Sequence, residues 1–454
     1  MNTTFNRHLI NDLERWKNKP TRKPLVIRGA RQVGKTTLIH NFAKNYKHSI
    51  LLNLERPSDR NYFKNYTDAR TIVDALFLAN NIPGKEVSET LLFIDEIQES
   101  SEAIGLLRYF YEDIPQLHVI AAGSLLEHVM QKVKSYPVGR VEYLYMHPLN
   151  FIEFLEANGQ KEVINQLNHI PVNNFAHSVL MDLFHQYAII GGMPEIISTW
   201  LSTKKLADLP VVYESIWTTY KEDVEKYAKT PLDARVIRHV IQTAHTYLDQ
   251  RIKFQNFGNS NYKSREVGEA FRNLNDARVI QLIYPTTDIT PPLRPDLRKA
   301  PRLQFLDTGL VNYELKIQAD MLEVSDLNTS YKGKITPHII TQELLSLSKL
   351  NYRTPNFWVR EKKQSSAEVD LILPYKDKLI PVEIKSGKAG KLKSLHLFVN
   401  SSPHPYAVRM YAGEFRVEKH KTIEGKEYLL MNLPYYLGTR LPEYIEYFVE
   451  SYKL

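Results

Sequence analysis

The stretch Gly29-Ala30-Arg31-Gln32-Val33-Gly34-Lys35-Thr36 follows the apolar run Leu25-Val26-Ile27 and leads into Thr37-Leu38-Ile39-His40-Asn41-Phe42. It fits G-x-x-x-x-G-K-[ST] in the order strand, loop, helix that the motif requires. Its glycines let the backbone curl, so that its N–H groups and the N-terminus of the following helix face phosphate oxygens. Residues 29–37 are therefore expected to bind a nucleoside triphosphate. Lys35 would reach the β- and γ-phosphates, and the Thr36 hydroxyl would ligate Mg²⁺.

Short apolar runs recur through the first third of the chain, at Leu25-Val26-Ile27, Ile50-Leu51-Leu52, Leu91-Leu92-Phe93-Ile94 and Val119-Ile120-Ala121-Ala122. Helix-like stretches separate them, the pattern of buried parallel strands with crossover helices. The third run delivers Asp95 and Glu96 at the strand end, where α/β sheets place ligand sites. Asp95 suits the Mg²⁺ shell, and Glu96 suits polarising the attacking water of phosphoryl transfer to water. Ser124, after the fourth run, is positioned to sense the γ-phosphate or hold that water. Arg140 is either an arginine finger, within its own subunit or a neighbour's, or a solvated, salt-bridged side chain.

The 454 residues carry 59 Lys+Arg against 51 Asp+Glu, a formal charge of +8 that favours anionic partners. Cysteine is absent, so disulfides, thiolate zinc sites and Cys nucleophiles are excluded. No apolar run reaches the roughly 18 to 20 residues of a membrane span, and the N-terminus lacks an apolar signal region. A cytoplasmic protein with no membrane partner is expected.

Changes of pattern divide the chain into four blocks: an α/β domain over 1–150, a helical lid over 151–229, a mixed segment over 230–325 and a strand-rich α/β domain over 330–454. Residues 251–302 hold a net +5 of the chain's +8. Arg251, Lys253, Lys263, Arg265, Arg272 and Arg278 are placed to track a nucleic-acid backbone. Phe254, Phe257 and Tyr262 lie among them, either to stack on bases or to form core.

Near the C-terminus, Ala367 to Leu373 and Leu379 to Lys385 read as a hairpin about the polar turn Pro374 to Lys378. Centring it between Lys376 and Asp377 sets Asp370 opposite Glu383 and Glu368 opposite Lys385, all four on one face. Paired carboxylates with a lysine two residues on suit Mg²⁺-assisted phosphodiester hydrolysis: Asp370 and Glu383 as metal ligands, Lys385 orienting or deprotonating the water. A solvent-facing salt-bridge ladder is the commoner fate of such alternating charges.

With these residues in hand, the chain resembles the bacterial and archaeal AAA-type ATPases that carry a C-terminal domain of unknown function with a restriction-endonuclease-like, PD-(D/E)xK fold. The marks are GARQVGKTTL, LLFIDEIQ, AAGSLLE, Gly139-Arg140 before HPLNFIEFL, GGMPE, FLDTGL and WVREKKQSSAEVDLIL followed by PVEIKSGK. The resemblance implies Asp370, Glu383 and Lys385 as a nuclease-like motif, with Glu343 as an extra acid from the preceding helix. It also implies a winged-helix-like unit over 230–325, with Ser264 to Leu274 as recognition helix. One departure is Pro337, which occupies the place where family members often carry a glutamate.

The expected protein binds and hydrolyses ATP with Mg²⁺ and couples nucleotide state to a nuclease-like domain acting on nucleic acid, DNA rather than RNA. The alternative is a nucleotide-switched regulator whose C-terminal domain only binds nucleic acid or a partner protein. A homo-oligomer is compatible with either.

Overall fold

The computed structural model describes residues 5–124, 139–319, 333–350, 354–362, 365–384 and 392–454. Lys385 lies outside them. The chain divides into two compact units. The first is Met1–Pro148 with Asp276–Val279 and Ser348–Tyr352, and the second comprises Leu149–Asn275, Ile280–Leu347 and Arg353–Leu454.

In the first unit the apolar runs form β1 (Leu25–Arg28), β2 (His48–Asn53), β3 (Thr90–Asp95) and β4 (His118–Gly123), with β5 (Glu142–Tyr145) completing a parallel sheet in the order β2-β3-β4-β1-β5. β3 and β4 are buried along their whole length, as central parallel strands covered on both faces must be, whereas edge strand β2 alternates. The helices are α1 (Leu9–Lys17), α2 (Lys35–Ala43), α3 (Pro57–Asn65), α4 (Ala69–Ala79) and α5 (Ser101–Asp113). Ser100 caps α5 by accepting from the Ala103 N–H at 3.1 Å, which fixes where the chain turns after β3. Arg28 is in register with Gly123, and Ile94 with Ala121. The carboxyl ends of β1, β3 and β4 therefore share one edge, and there the chain places Gly29, Asp95 and Ser124.

The second unit begins with α6 (Phe151–Ala157), α7 (Lys161–Leu167), α8 (His177–Ile190), α9 (Pro194–Thr203) and α10 (Pro210–Tyr227). Next come α11 (Pro231–Thr243), α12 (Ser264–Asp276), and β6 (Ile280–Ile283) antiparallel to β8 (Arg302–Phe305). Between these two strands the Pro-rich segment contributes β7 (Pro285–Thr286) to a different sheet, then α13 (Thr308–Leu315) and α14 (Ile335–Ser346) follow β8. The remaining elements are β9 (Asn356–Lys362), β10 (Ser365–Tyr375), β11 (Lys378–Ile384), α15 (Lys393–Ser401), β12 (Tyr406–Tyr411), β13 (Arg416–Lys421), β14 (Glu427–Pro434) and α16 (Leu441–Ser451). They build a mixed seven-stranded sheet in the order β13-β14-β12-β11-β10-β9-β7.

The GGMPE and FLDTGL segments meet inside this unit. Asp307 accepts from the Gly192 N–H at 2.5 Å and the Leu310 N–H at 3.1 Å, so one carboxylate caps α13 and holds the turn between α8 and α9. The backbones approach so closely that a Cβ at Gly309 would lie 1.9 Å from the Ile190 carbonyl oxygen. Gly191, at φ 82°, is in the left-handed region and equally crowded by Asp307.

Glu343 on α14 is fully buried, and its carboxyl is engaged by the helical region. Its carboxyl accepts from the Phe151 N–H at 3.1 and 3.2 Å and from the Tyr187 hydroxyl at 2.7 Å, completing the N-terminus of α6. Burial pushes its carboxyl up to about 8. The extra acid implied for the hairpin is thus a structural group of the helical region.

Candidate functional site

Gly34, at φ 98°, is the left-handed residue from which α2 starts. Gly29 is constrained differently, since a Cβ there would sit 2.4 Å from the Met146 carbonyl oxygen. Between them Gln32 takes φ 61°, and its buried Oε1 has no hydrogen-bond partner among the described residues. The Lys35 side chain is buried and folds back on its own loop, donating to Gly29 O at 3.0 Å and Ala30 O at 2.8 Å. Burial lowers the ammonium to about 8, against the pull of Glu96 and Asp95. A polyphosphate offers this cation better acceptors than two neutral carbonyls do.

Thr36 Oγ1 donates to Asp95 Oδ2 at 2.6 Å, so the hydroxyl and the carboxylate named as Mg²⁺ ligands stand side by side. Burial raises the Asp95 carboxyl, opposed by that hydrogen bond. Glu96 follows in the left-handed conformation at φ 49°, and its carboxylate receives Gln98 Nε2. Backbone strain of this kind at a strand end aims a side chain away from the course of the strand. Ser124 directly follows β4, with a buried hydroxyl that has no hydrogen-bond partner among the described residues. Two orphaned polar atoms, a folded-back lysine and a paired Thr–Asp set on one sheet edge fit a Mg²⁺-nucleoside triphosphate.

Arg140 is not at this edge. β5 runs parallel to β1 with Glu142 opposite Leu25, so Arg140 precedes the start of the strand, at the end of the sheet away from the loop. Its Nε pairs with Glu112 Oε1 at 2.8 Å, near the end of α5. The geometry removes a role for Arg140 on the γ-phosphate of its own subunit.

The hairpin of the second unit has the expected register, from Leu371 opposite Val382 to Tyr375 opposite Lys378. Asp370 Oδ2 accepts from the Ile384 N–H at 2.8 Å, which seats its carboxylate at the end of β11. The expectation that Glu368, Asp370, Glu383 and Lys385 share a face is corrected by a β-bulge: pairing with β9 shifts between Val369 and Ile372. Ala367, Val369 and Ile372 consequently all pack with Leu379 against Leu395, Phe398 and Val399 of α15. Alternation along β11 sends the buried Glu383 to this same side as Leu379, whereas Glu368 and Asp370 turn to the opposite side.

There they meet Arg302, the first residue of β8. Its guanidinium pairs with Glu368, with Asp370 at 3.6 Å and with Asp249 at 3.1 Å, above the Phe357 ring with 4.6 Å to the centroid. Pro337 and His338 line the same small cavity. Neither Arg302 nor Asp249 is singled out by spacing or motif, because their segments lie far from the hairpin in sequence.

Of the basic residues over 251–302, Arg251 and Lys299 are engaged by Glu361, and Arg278 stacks over Tyr145 in the first unit. Lys253, Lys263, Arg265 and Arg272 are exposed, the last paired with Glu269 at 2.8 Å. Phe257 is core, packed edge-on against Phe271 at 4.9 Å, and is not available to stack on bases. Phe254 stacks on Phe271 at 5.7 Å, and Tyr262 lies against His239 at 5.4 Å.

Residues 21–155 match the sequence model of a family described as AAA domain. Residues 181–321 match Domain of unknown function (DUF8612), and residues 332–433 match Domain of unknown function (DUF4143). Among solved structures, the chain is similar at 10% identity and a TM-score of 0.29 to a Signal Transduction ATPase with Numerous Domains protein with a tetratricopeptide repeat sensor from Pyrococcus horikoshii, over 76% of this chain and 49% of that one. It is similar at 14% identity and a TM-score of 0.28 to the S. cerevisiae Hsp104–ADP complex, over 61% of this chain and 39% of that one. The chain thus spans about half the length of the first structure and less of the second. No curated protein matches it. Among the described residues no helix is long and apolar enough to cross a membrane. The family match supports an AAA-type P-loop domain over residues 21–155.

Proposed function

We propose that this chain hydrolyses ATP and uses its nucleotide state to switch how the second unit engages nucleic acid. The single observation that carries the reading is the Thr36–Asp95 hydrogen bond at 2.6 Å, next to a left-handed Glu96 and on the same sheet edge as Ser124, whose hydroxyl has no hydrogen-bond partner among the described residues. ATP would be held by the backbone of residues 29–37, with Lys35 released from its own carbonyls onto the phosphates. Thr36 and Asp95 would hold Mg²⁺, which would supply positive charge against the phosphate oxygens. Glu96 orients and deprotonates the attacking water, and Gln98 holds that carboxylate in place. Ser124 donates to the γ-phosphate or to the water, satisfying its own hydroxyl.

The nucleic-acid part of the reading is supported by α11 and α12 followed by the antiparallel pair β6 and β8, a winged-helix-like arrangement. On α12, Arg265 and Arg272 stand on the exposed face, while Val267, Ala270, Phe271 and Leu274 are buried. A second reading, in which Asp370, Glu383 and Lys385 cleave DNA with Mg²⁺, is favoured by the seat of Asp370 at the Ile384 N–H, next in sequence to both other residues.

Anisotropy of a labelled DNA duplex, titrated with protein in the presence and absence of a non-hydrolysable ATP analogue, tests the switch. Affinity is expected to change with nucleotide in the wild type and to be indifferent to nucleotide in Lys35→Ala. Equal affinity in all conditions would reject coupling, and the absence of any binding would reject the nucleic-acid partner.

A further inference from the structure

Three carboxylates from two distant parts of the chain converge on one guanidinium. Asp249 comes from the loop after α11, itself held at φ 53°, while Glu368 and Asp370 come from β10, where the bulge turns both toward β8. The Arg302 side chain is 13% exposed, and its position is fixed from several directions. The Phe357 ring lies below it, Pro337 lines the cavity beside it, and Ile252 N–H donates to the neighbouring Pro301 carbonyl at 2.8 Å.

A divalent metal at this cluster needs oxygen ligands at roughly 2.0 to 2.6 Å, six or more of them with water included. Glu368, Asp370 and Asp249 are all within ion-pair reach of Arg302. The second oxygen of Asp370 is occupied by the Ile384 N–H. Glu383 points to the other face of the sheet, and Pro337 brings no side-chain ligand to the cavity. Among the described residues no group of three or more histidine, aspartate or glutamate side chains is arranged to hold a metal ion. A guanidinium offers several donors in a planar fork and stays charged when buried, so one arginine satisfies several carboxylates that would otherwise repel.

We propose that Arg302 is the resident cation of this cluster, standing where a nuclease-like hairpin would hold Mg²⁺, so that the second unit recognises nucleic acid without cutting it. This rests on the first reading of the function, in which that unit is a binding module. The arrangement is also a clasp: Arg302 ties the β6–β8 pair to the seven-stranded sheet, the two parts a nucleotide-driven change would have to move together. Because a buried charge left without its partner is expensive, the clasp resists opening.

The test is Mn²⁺ binding followed by electron paramagnetic resonance, without nucleotide, on the full chain carrying Asp95→Asn to remove the P-loop metal site. With Arg302 intact, no bound Mn²⁺ sensitive to Asp370→Asn is expected. Arg302→Gln should gain one equivalent of bound Mn²⁺, lost again on adding Asp370→Asn, whereas Arg302→Lys should gain none. A Mn²⁺ ion bound with Arg302 intact and lost in Asp370→Asn would overturn the proposal. So would an Arg302→Gln protein, folded by circular dichroism, that binds none. Should Arg302→Gln not fold, the Arg302-intact arm decides alone. Duplex binding measured on the same samples separates the two readings: no metal and no duplex binding would sink the recognition module while leaving Arg302 as the resident cation.

Discussion

Thr36 Oγ1 donates to Asp95 Oδ2 at 2.6 Å across 59 residues of sequence. The bond joins the first turn of α2 to the last residue of β3, and it exists because the parallel register brings the ends of β1 and β3 to one edge of the sheet. Asp95→Asn preserves shape but removes the charge that would face Mg²⁺. Its ATP turnover is expected to fall by about 10² or more, with nucleotide binding changed far less. Turnover within a factor of two of wild type, read by phosphate release, would show that the pair is structural only.

Arg140, at the opposite edge and paired with Glu112, is expected to be dispensable for hydrolysis by an isolated copy. Arg140→Ala should turn over ATP at the wild-type rate at protein concentrations where light scattering finds only monomer. A loss under those conditions would contradict the placement. A loss confined to concentrations where copies associate would mark a contribution between subunits.

The candidate nucleotide site is legible because each of its parts is local: an apolar run followed by a glycine-rich loop, and another ending in Asp95-Glu96. The hairpin turn at Lys376-Asp377 was legible for the same reason. What failed was the assumption of unbroken alternation. One residue added between Val369 and Ile372 moves Asp370 to the side of Arg302 while Glu383 stays on the side of Leu379. Glu343, implied as a site acid by the family resemblance, instead serves the buried N-terminus of a helix almost two hundred positions away, a partner that no local pattern announces. Arg302 and Asp249 carry no local signal at all, and only the tertiary fold brings them to the hairpin.

The junction of Gly309 with Ile190 predicts a sharp contrast between two glycines. Gly309→Ala places a Cβ 1.9 Å from a backbone carbonyl, so helices must move, and destabilisation of at least about 1–3 kcal/mol is expected. At Gly84 a Cβ meets nothing within 4 Å, and Gly84→Ala should be close to neutral. Urea denaturation of the two variants checks this, and equal midpoints would contradict a close α8–α13 contact.

Glu343, raised to about 8, and Asp307, raised to about 6, keep their protons when folded over a range where the unfolded chain releases them. The folded state then binds more protons, so stability declines as pH rises from about 4 to about 8 and levels off above that. Glu343→Gln retains an acceptor for the Phe151 N–H but cannot titrate. Between pH 5 and pH 8.5 its melting temperature should fall by at least about 2 °C less than that of the wild type. An identical fall in both would remove Glu343 as the source.

Whether Glu96 activates the attacking water is decided by measuring ATP turnover beside ATP-analogue binding in Glu96→Gln. Turnover reduced by about 10² to 10⁴ is expected, with binding held within a few-fold of wild type. Hydrolysis by Glu96→Gln at the wild-type rate would contradict it, as would a wild-type protein that binds no ATP.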